Sequence, residues 1–173
     1  MKRNMSHSLV YYGSDILKKN SEDITNVDSE VVDLINEMFI IMKKSNGVGL
    51  AAPQIGINKN IITIDISHTE QKMKIALINP KIELASSDVV LYEEGCLSVP
   101  GIWAEVQRPS KIKVKAVDVK GNQIEFDADS FYARVLQHEI DHLRGVLFID
   151  RIEDYIRKEF TKELKKIKKL NKA

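Results

Sequence analysis

The 173-residue chain has a single cysteine, Cys96, so no disulfide can close within it, and that scarcity fits a reducing compartment. It has no long apolar run. The longest, Met38-Phe39-Ile40-Ile41-Met42, falls far short of the roughly 20 residues that cross a bilayer, which excludes a membrane span or membrane partner. It has almost no excess of charge of either sign, with 26 Lys and Arg against 25 Asp and Glu. That balance removes the general electrostatic case for DNA binding. Repeats and linkers are absent. The basic N-terminal arm Met1-Lys2-Arg3-Asn4-Met5-Ser6-His7 is followed by no apolar signal core. With 43% hydrophobic and 29% charged residues, the chain reads as a soluble, cytoplasmic protein forming one domain over residues 1–173.

The first 30 residues are polar and irregular. From Ser29 to about Lys44, Val31, Leu34, Ile35, Met38, Ile41 and Met42 recur at three- and four-residue spacing, which predicts an amphipathic helix with Ser29 as N-cap. Ser45-Asn46-Gly47 ends it. Short β-branched segments follow at 61–66, 74–78, 89–92, 112–119 and 123–126, divided by turn signals such as Asn79-Pro80 and Lys120-Gly121-Asn122. No helical stretch separates them, so the sheet is expected to be antiparallel. Helical pattern returns from Asp127, a good N-cap, to Leu143. A strand-like Val146–Ile149 and a final helix over about 153–170 complete the chain. The fold class is α+β, with mainly antiparallel sheets packed around the helix of residues 127–143 and a C-terminal helix beyond it.

The chemistry is concentrated in His138-Glu139-Ile140-Asp141-His142. Residues four apart share a helix face, so His138 and His142 can bring two imidazoles to one metal ion. Glu139 lies about a hundred degrees round the helix, where it can reach a water without binding the metal. Phe131, Val135, His138 and His142 form one stripe, and Leu136, Ile140, Leu143 and Leu147 another, which predicts a buried helix. A third ligand must come from elsewhere. Phe148 occupies the position where a long metzincin pattern requires a third histidine. His7 and His68 lie in polar stretches that read as solvated surface, and Glu159 and Glu163 in a lysine-rich, solvent-facing helix. Cys96, between Gly95 and a rigid, extended Leu97-Ser98-Val99-Pro100, is either the third ligand or a buried small hydrophobe.

Gly47-Val48-Gly49-Leu50-Ala51-Ala52-Pro53-Gln54-Ile55-Gly56 superficially matches a dinucleotide fingerprint. It follows a helix rather than a strand, and Pro53 interrupts it, so that reading fails. The glycines instead let a ligand lie against the backbone, with the Gln54 amide as a donor.

Gly-Val-Gly-Leu-Ala-Ala-Pro-Gln (47–54), Glu-Gly-Cys-Leu-Ser (94–98) and Gln-His-Glu-Ile-Asp-His-Leu (137–143) together resemble the three signature motifs of the peptide deformylases, in their order and approximate spacing. The resemblance runs from about Val10 to about Ile152. It implies Cys96, His138 and His142 as metal ligands and Glu139 as general acid/base. Gln54 and the backbone N–H of Leu97 become oxyanion donors, and the backbone around Gly49 holds the substrate main chain. The metal expected in the cell is ferrous iron, with zinc, nickel or cobalt as alternatives. The implied reaction removes the N-formyl group from N-formylmethionyl nascent peptides. Val48, Phe131 and Val135 are candidates for the methionine pocket.

Trp103 stands where some members carry a basic residue and Asn46 where some carry an acid, both changes expected at the groove rim. Arg134 faces either the peptide or solvent. The arm before Ser8 has no assigned role. Six lysines between Thr161 and Ala173 (Lys162, Lys165, Lys166, Lys168, Lys169 and Lys172), against one acid, Glu163, suggest a contact with ribosomal RNA, or else only a solvated helix end. Two rival readings are a metallo-endopeptidase using the same helix with a different third ligand, and a non-enzymatic module that has lost catalysis.

Overall fold

A computed structural model describes residues 6–172; Met1–Met5 of the basic arm, and Ala173, lie outside the described residues. Helix α1 spans Ser29–Lys44 and buries Val31, Ile35, Met38, Ile41 and Met42 on one face, as the spacing predicts. Its N-cap is Asp28 rather than Ser29. The Asp28 carboxylate accepts the Val31 N–H at 3.0 Å, one of the donors that a helix start leaves free.

Seven strands follow: β1 (Gly49–Ala51), β2 (Ile61–Asp65), β3 (Lys74–Ala85), β4 (Val89–Cys96), β5 (Val99–Pro109), β6 (Lys111–Val117) and β7 (Gln123–Asp129). All their pairings are antiparallel. A five-stranded sheet has the order β1-β2-β3-β6-β7, and β4 and β5 form a separate two-stranded ribbon. The 120–122 turn joins β6 to β7 as a hairpin, as expected. Strand β5 goes beyond the extended Leu97–Pro100 segment read from sequence. Leu97 and Ser98 form the turn, and Val99 begins the strand opposite Cys96.

Helix α2 spans Ser130–His142 and is buried from Tyr132 onward on every side. It begins three residues later than expected because Asp127 is committed to the sheet, paired with Lys113, and the ladder continues to Asp129 opposite Lys111. Leu136, Ile140 and Leu143 pack with Ile62, Ile64 and Leu77 of the sheet. Val146–Ile149 is not a strand. The Leu147 N–H donates to the Asp150 carboxylate at 2.8 Å, closing a short 3-10 turn at Phe148–Asp150.

The final helical segment is broken into α3 (Asp154–Glu159), α4 (Thr161–Lys168) and a 3-10 turn at Lys169–Lys172. The Thr161 hydroxyl donates to the Lys158 carbonyl at 2.8 Å, a side-chain bond that competes with the helix ladder at the break. Leu164 and Ile167 of α4 are buried against Val99, Ile102 and Phe148, so this segment closes a third cluster of the core. Among the described residues no helix is long and apolar enough to cross a membrane.

Candidate metal centre

The helical repeat places His138 and His142 one turn apart on α2, with ring centroids separated by 5.1 Å. Cys96 comes to them from the end of β4, its Sγ 3.4 Å from His142 Nε2. One ligand atom from each of the three residues falls within 4.8 Å of the others, so the trio can hold a single metal ion. Two properties fit that occupant. The donor set, one thiol and two imidazoles, suits a transition metal and leaves one tetrahedral position open. Glu139 Oε2 is buried with no hydrogen-bond partner, an arrangement costly for protein atoms alone and relieved beside a cation.

His138 is oriented by the rest of the ribbon. Its Nδ1 lies 2.8 Å from Glu94 Oε1, which turns Nε2 toward the cluster. Glu94 also accepts from Arg108 Nε at 2.6 Å and Nη2 at 3.0 Å, and from Arg134 Nη1 at 2.7 Å. Burial opposes its ionisation, yet the bonds from His138 and Arg108 prevail and hold the carboxyl well below the usual range. Arg108 extends the chain to Asp141 at 2.8 Å, and Asp141 is gripped again by Arg151 Nη2 at 2.7 Å. Ligand, carboxylate and guanidinium thus form one buried network, in which each charge is paired.

Burial, reinforced by the charge of His138, holds His142 well below the ordinary histidine range, so its imidazole is neutral and ready to ligate. Burial alone opposes charge on His138, but Cys96, Glu94 and Glu139 raise it above its usual range; cation binding there is therefore coupled to proton release. Burial pushes Glu139 up to about 7. That value suits a group which must accept and return a proton near neutrality.

Glu139 is pressed against β1. A Cβ on Gly49 would lie 2.7 Å from Glu139 Oε1, so only glycine allows this approach. Gln54, 1% exposed, uses its Oε1 to accept the Ala51 N–H at 2.9 Å. That bond aims Nε2 at Ser98 Oγ (3.2 Å) and Cys96 Sγ (3.5 Å). The need for an amide among apolar residues is thereby explained.

A cleft of about 580 Å³ opens onto this centre. Val48, Gly49, Gln54, Cys96, Leu97, Phe131, Val135, His138 and Glu139, all singled out from sequence, line it, while His142 sits behind, 1% exposed. Trp103 and Asn46 line it too, as the rim expectation requires. Arg134 lies on the cleft side rather than in solvent: it lines the cleft but is buried, its guanidinium bonded to Glu94 and to the carbonyls of Val106 and Val90. Glu159, Glu163 and His68 are exposed and away from the cleft, as expected. His7 departs from its solvated reading, being half-buried with Nδ1 2.8 Å from Glu37.

Sequence reasoning missed Glu94, Arg108 and Asp141 as a group. One signal was available for Arg108: the alternation Ile102, Ala104, Val106, Arg108 places it in the inward phase of β5, where an arginine must have a buried acid.

Comparison with known proteins agrees with this geometry. The polypeptide deformylase family profile matches residues 6–158. A peptide deformylase of Brachyspira hyodysenteriae is 44% identical over 168 residues, covering 95% of this chain and 90% of that protein. The Aquifex aeolicus peptide deformylase is 41% identical over 97% of this chain and all of its own length. The crystal structure of a Synechococcus elongatus peptide deformylase in complex with actinonin superposes with a TM-score of 0.86 at 39% identity, covering 95% of this chain and 89% of that one. Fold, ligand trio and sequence agree, and the chain belongs to the peptide deformylase family.

Proposed function

We propose that the protein is a metal-dependent hydrolase that removes the N-formyl group from the formylmethionine of newly synthesised polypeptides, releasing formate. The observation that carries this is the convergence of Cys96, His138 and His142 with Glu139 and the Gln54 amide on one cleft. Cys96, His138 and His142 would hold a divalent metal ion, which would supply Lewis-acid polarisation and lower the pKa of a water molecule there.

The chain's own residues do the rest. Glu139 accepts the proton of the attacking water and delivers it to the amine as the formyl C–N bond breaks. Gln54 Nε2 and the Leu97 N–H donate to the formyl oxygen as it gains charge. The edge strand β1, at Gly49, takes up the peptide main chain by strand-like hydrogen bonding. Val48, Phe131 and Val135 receive the methionine side chain. A formyl carbon bears only hydrogen, so a close-fitting site rejects bulkier acyl groups by sterics.

Ferrous iron is the ion proposed for the cell, with zinc, nickel or cobalt able to occupy the same donors. The proposed setting is a bacterial-type cytoplasm, with the whole chain forming one catalytic domain. The proposed second partner is ribosomal RNA, through Lys162, Lys165, Lys166, Lys168 and Lys169, all exposed while Leu164 and Ile167 face inward. Replacing those five lysines with glutamine should then weaken ribosome binding and flatten its salt dependence. The endopeptidase reading gains nothing, since Glu159 and Glu163 stay in solvent.

The deciding experiment measures formate release from a short formyl-Met peptide by protein purified without oxygen and loaded with iron, nickel or zinc. Activity that disappears on chelation and in Glu139→Ala supports the proposal. Silence with every metal, despite stoichiometric binding, overturns it.

A further inference from the structure

The N-terminal segment carries no chemistry, yet its backbone runs behind both groups assigned to the formyl oxygen. The Val10 N–H donates to the backbone oxygen of Gln54, and the Tyr12 N–H to that of Ser98, each at 2.8 Å. Ser98 directly follows Leu97, and its Oγ accepts from Gln54 Nε2 at 3.2 Å. Residues 10–12 therefore strap the Gln54 turn to the Leu97–Ser98 turn.

The strap is itself held by the end of the chain. Asn171 Oδ1 accepts the Tyr11 N–H at 2.8 Å, and Asn171 Nδ2 donates to the carbonyls of Tyr11 at 2.9 Å and Tyr12 at 3.0 Å. One amide side chain thus serves three backbone groups that a neighbouring strand would otherwise satisfy. The close fit is prepared at Gly13, in the left-handed region at φ +96, where a Cβ would lie 2.5 Å from Lys168 Cγ.

We propose that Asn171 is a positioning residue for deformylation: by clamping Tyr11 and Tyr12 it fixes the strap that sets Gln54 and the Leu97–Ser98 turn relative to each other. This rests on the proposed function of the site. The physical reason is preorganisation. Donors to a developing oxyanion act only if they already stand where the charge will appear, and each of these turns has a backbone carbonyl tied to the strap. Asn171 is exposed, so its contribution is the geometry it imposes rather than buried surface.

The test compares the full chain with Asn171→Ala, Asn171→Gln and a chain ending at Leu170, all loaded with the same metal. Formyl-Met peptide kinetics are read beside hydrogen exchange. Asn171→Ala should lower kcat roughly three- to tenfold at unchanged KM and metal content, short of the ~10²–10³ lost when an oxyanion donor is removed outright. Exchange should accelerate in residues 9–13 and 96–100. The shortened chain should behave alike, and Asn171→Gln, which keeps both amide groups, should recover part of the loss. Faster exchange with unchanged kcat overturns the proposal, because Asn171 then only holds the tail. Unchanged exchange at 96–100 overturns it whatever the activity. If the unsubstituted protein releases no formate with any metal, the proposed reaction fails instead, and the exchange measurement still decides the strap.

Discussion

Gly49→Ala tests the approach of β1 to Glu139. The backbone at Gly49 is not in the left-handed region, so alanine is tolerated there by the main chain and only the new methyl group matters. That methyl would stand 2.7 Å from Glu139 Oε1, 2.8 Å from Cγ and 3.0 Å from Cδ. Ordinary contact begins near 3.4 Å, so the carboxyl must retreat by about 0.7 Å. Glu139 is 4% exposed at the cleft wall, so its carboxyl can give way only by leaving the place from which it serves the centre. A displacement of about 1 Å at a reacting group costs on the order of 10²-fold, or about 2.7 kcal/mol of barrier. The three atoms nearest this methyl all belong to Glu139 and none to Cys96, His138 or His142, so metal content should stay stoichiometric. The assay is formate release from a formyl-Met peptide, with metal content measured on the same preparation. A kcat within threefold of the unsubstituted protein would show that Glu139 needs no such placement, and the reasoning would fail.

Other perturbations probe the surroundings of the centre. Glu94→Ala should lower stability by roughly 3–5 kcal/mol, about 10 °C in Tm, because Arg108 and Arg134 lose a buried counter-charge; a drop under 2 °C would mean that the network is not holding the fold. In the metal-free protein the folded Glu139 carboxyl titrates near 7, against an ordinary value of 4.5. The folded state then holds the extra proton between those values, so this group's contribution to stability falls as pH rises from about 4.5 to about 7. Denaturant titrations of Glu139→Gln across that range should lack this component, and parallel curves for the two proteins would contradict it. Air or peroxide should inactivate the iron-loaded enzyme faster than the zinc-loaded one, since only iron changes redox state beside the Cys96 thiolate. Equal lifetimes would place the sensitivity at the thiolate alone.

The elements visible in the sequence were those with local causes. Helix α1 was legible because its apolar residues repeat at the helical period, and the β6–β7 hairpin because Gly121-Asn122 interrupts two alternating runs. The errors lie where tertiary partners override local signals. Asp127 is a good cap by type, but pairing with Lys113 keeps it in β7. The C-terminal helix is periodic in its apolar residues, yet it breaks at Phe160, which packs into the core. His7 reads as surface until Glu37, 30 positions away, meets it.

By itself the sequence determined the two imidazoles and the carboxyl of α2, because a helix converts a four-residue spacing into a shared face whatever surrounds it. It also determined, through three motifs, which family the chain would join. Only the tertiary structure decided what completes and supports those groups. Cys96 meets His142 across 46 positions, Glu94 gathers His138, Arg108 and Arg134, and Asn171 reaches Tyr11 across 160. Such pairings depend on strand register and on how elements pack, quantities that the whole core sets together and that no local spacing encodes.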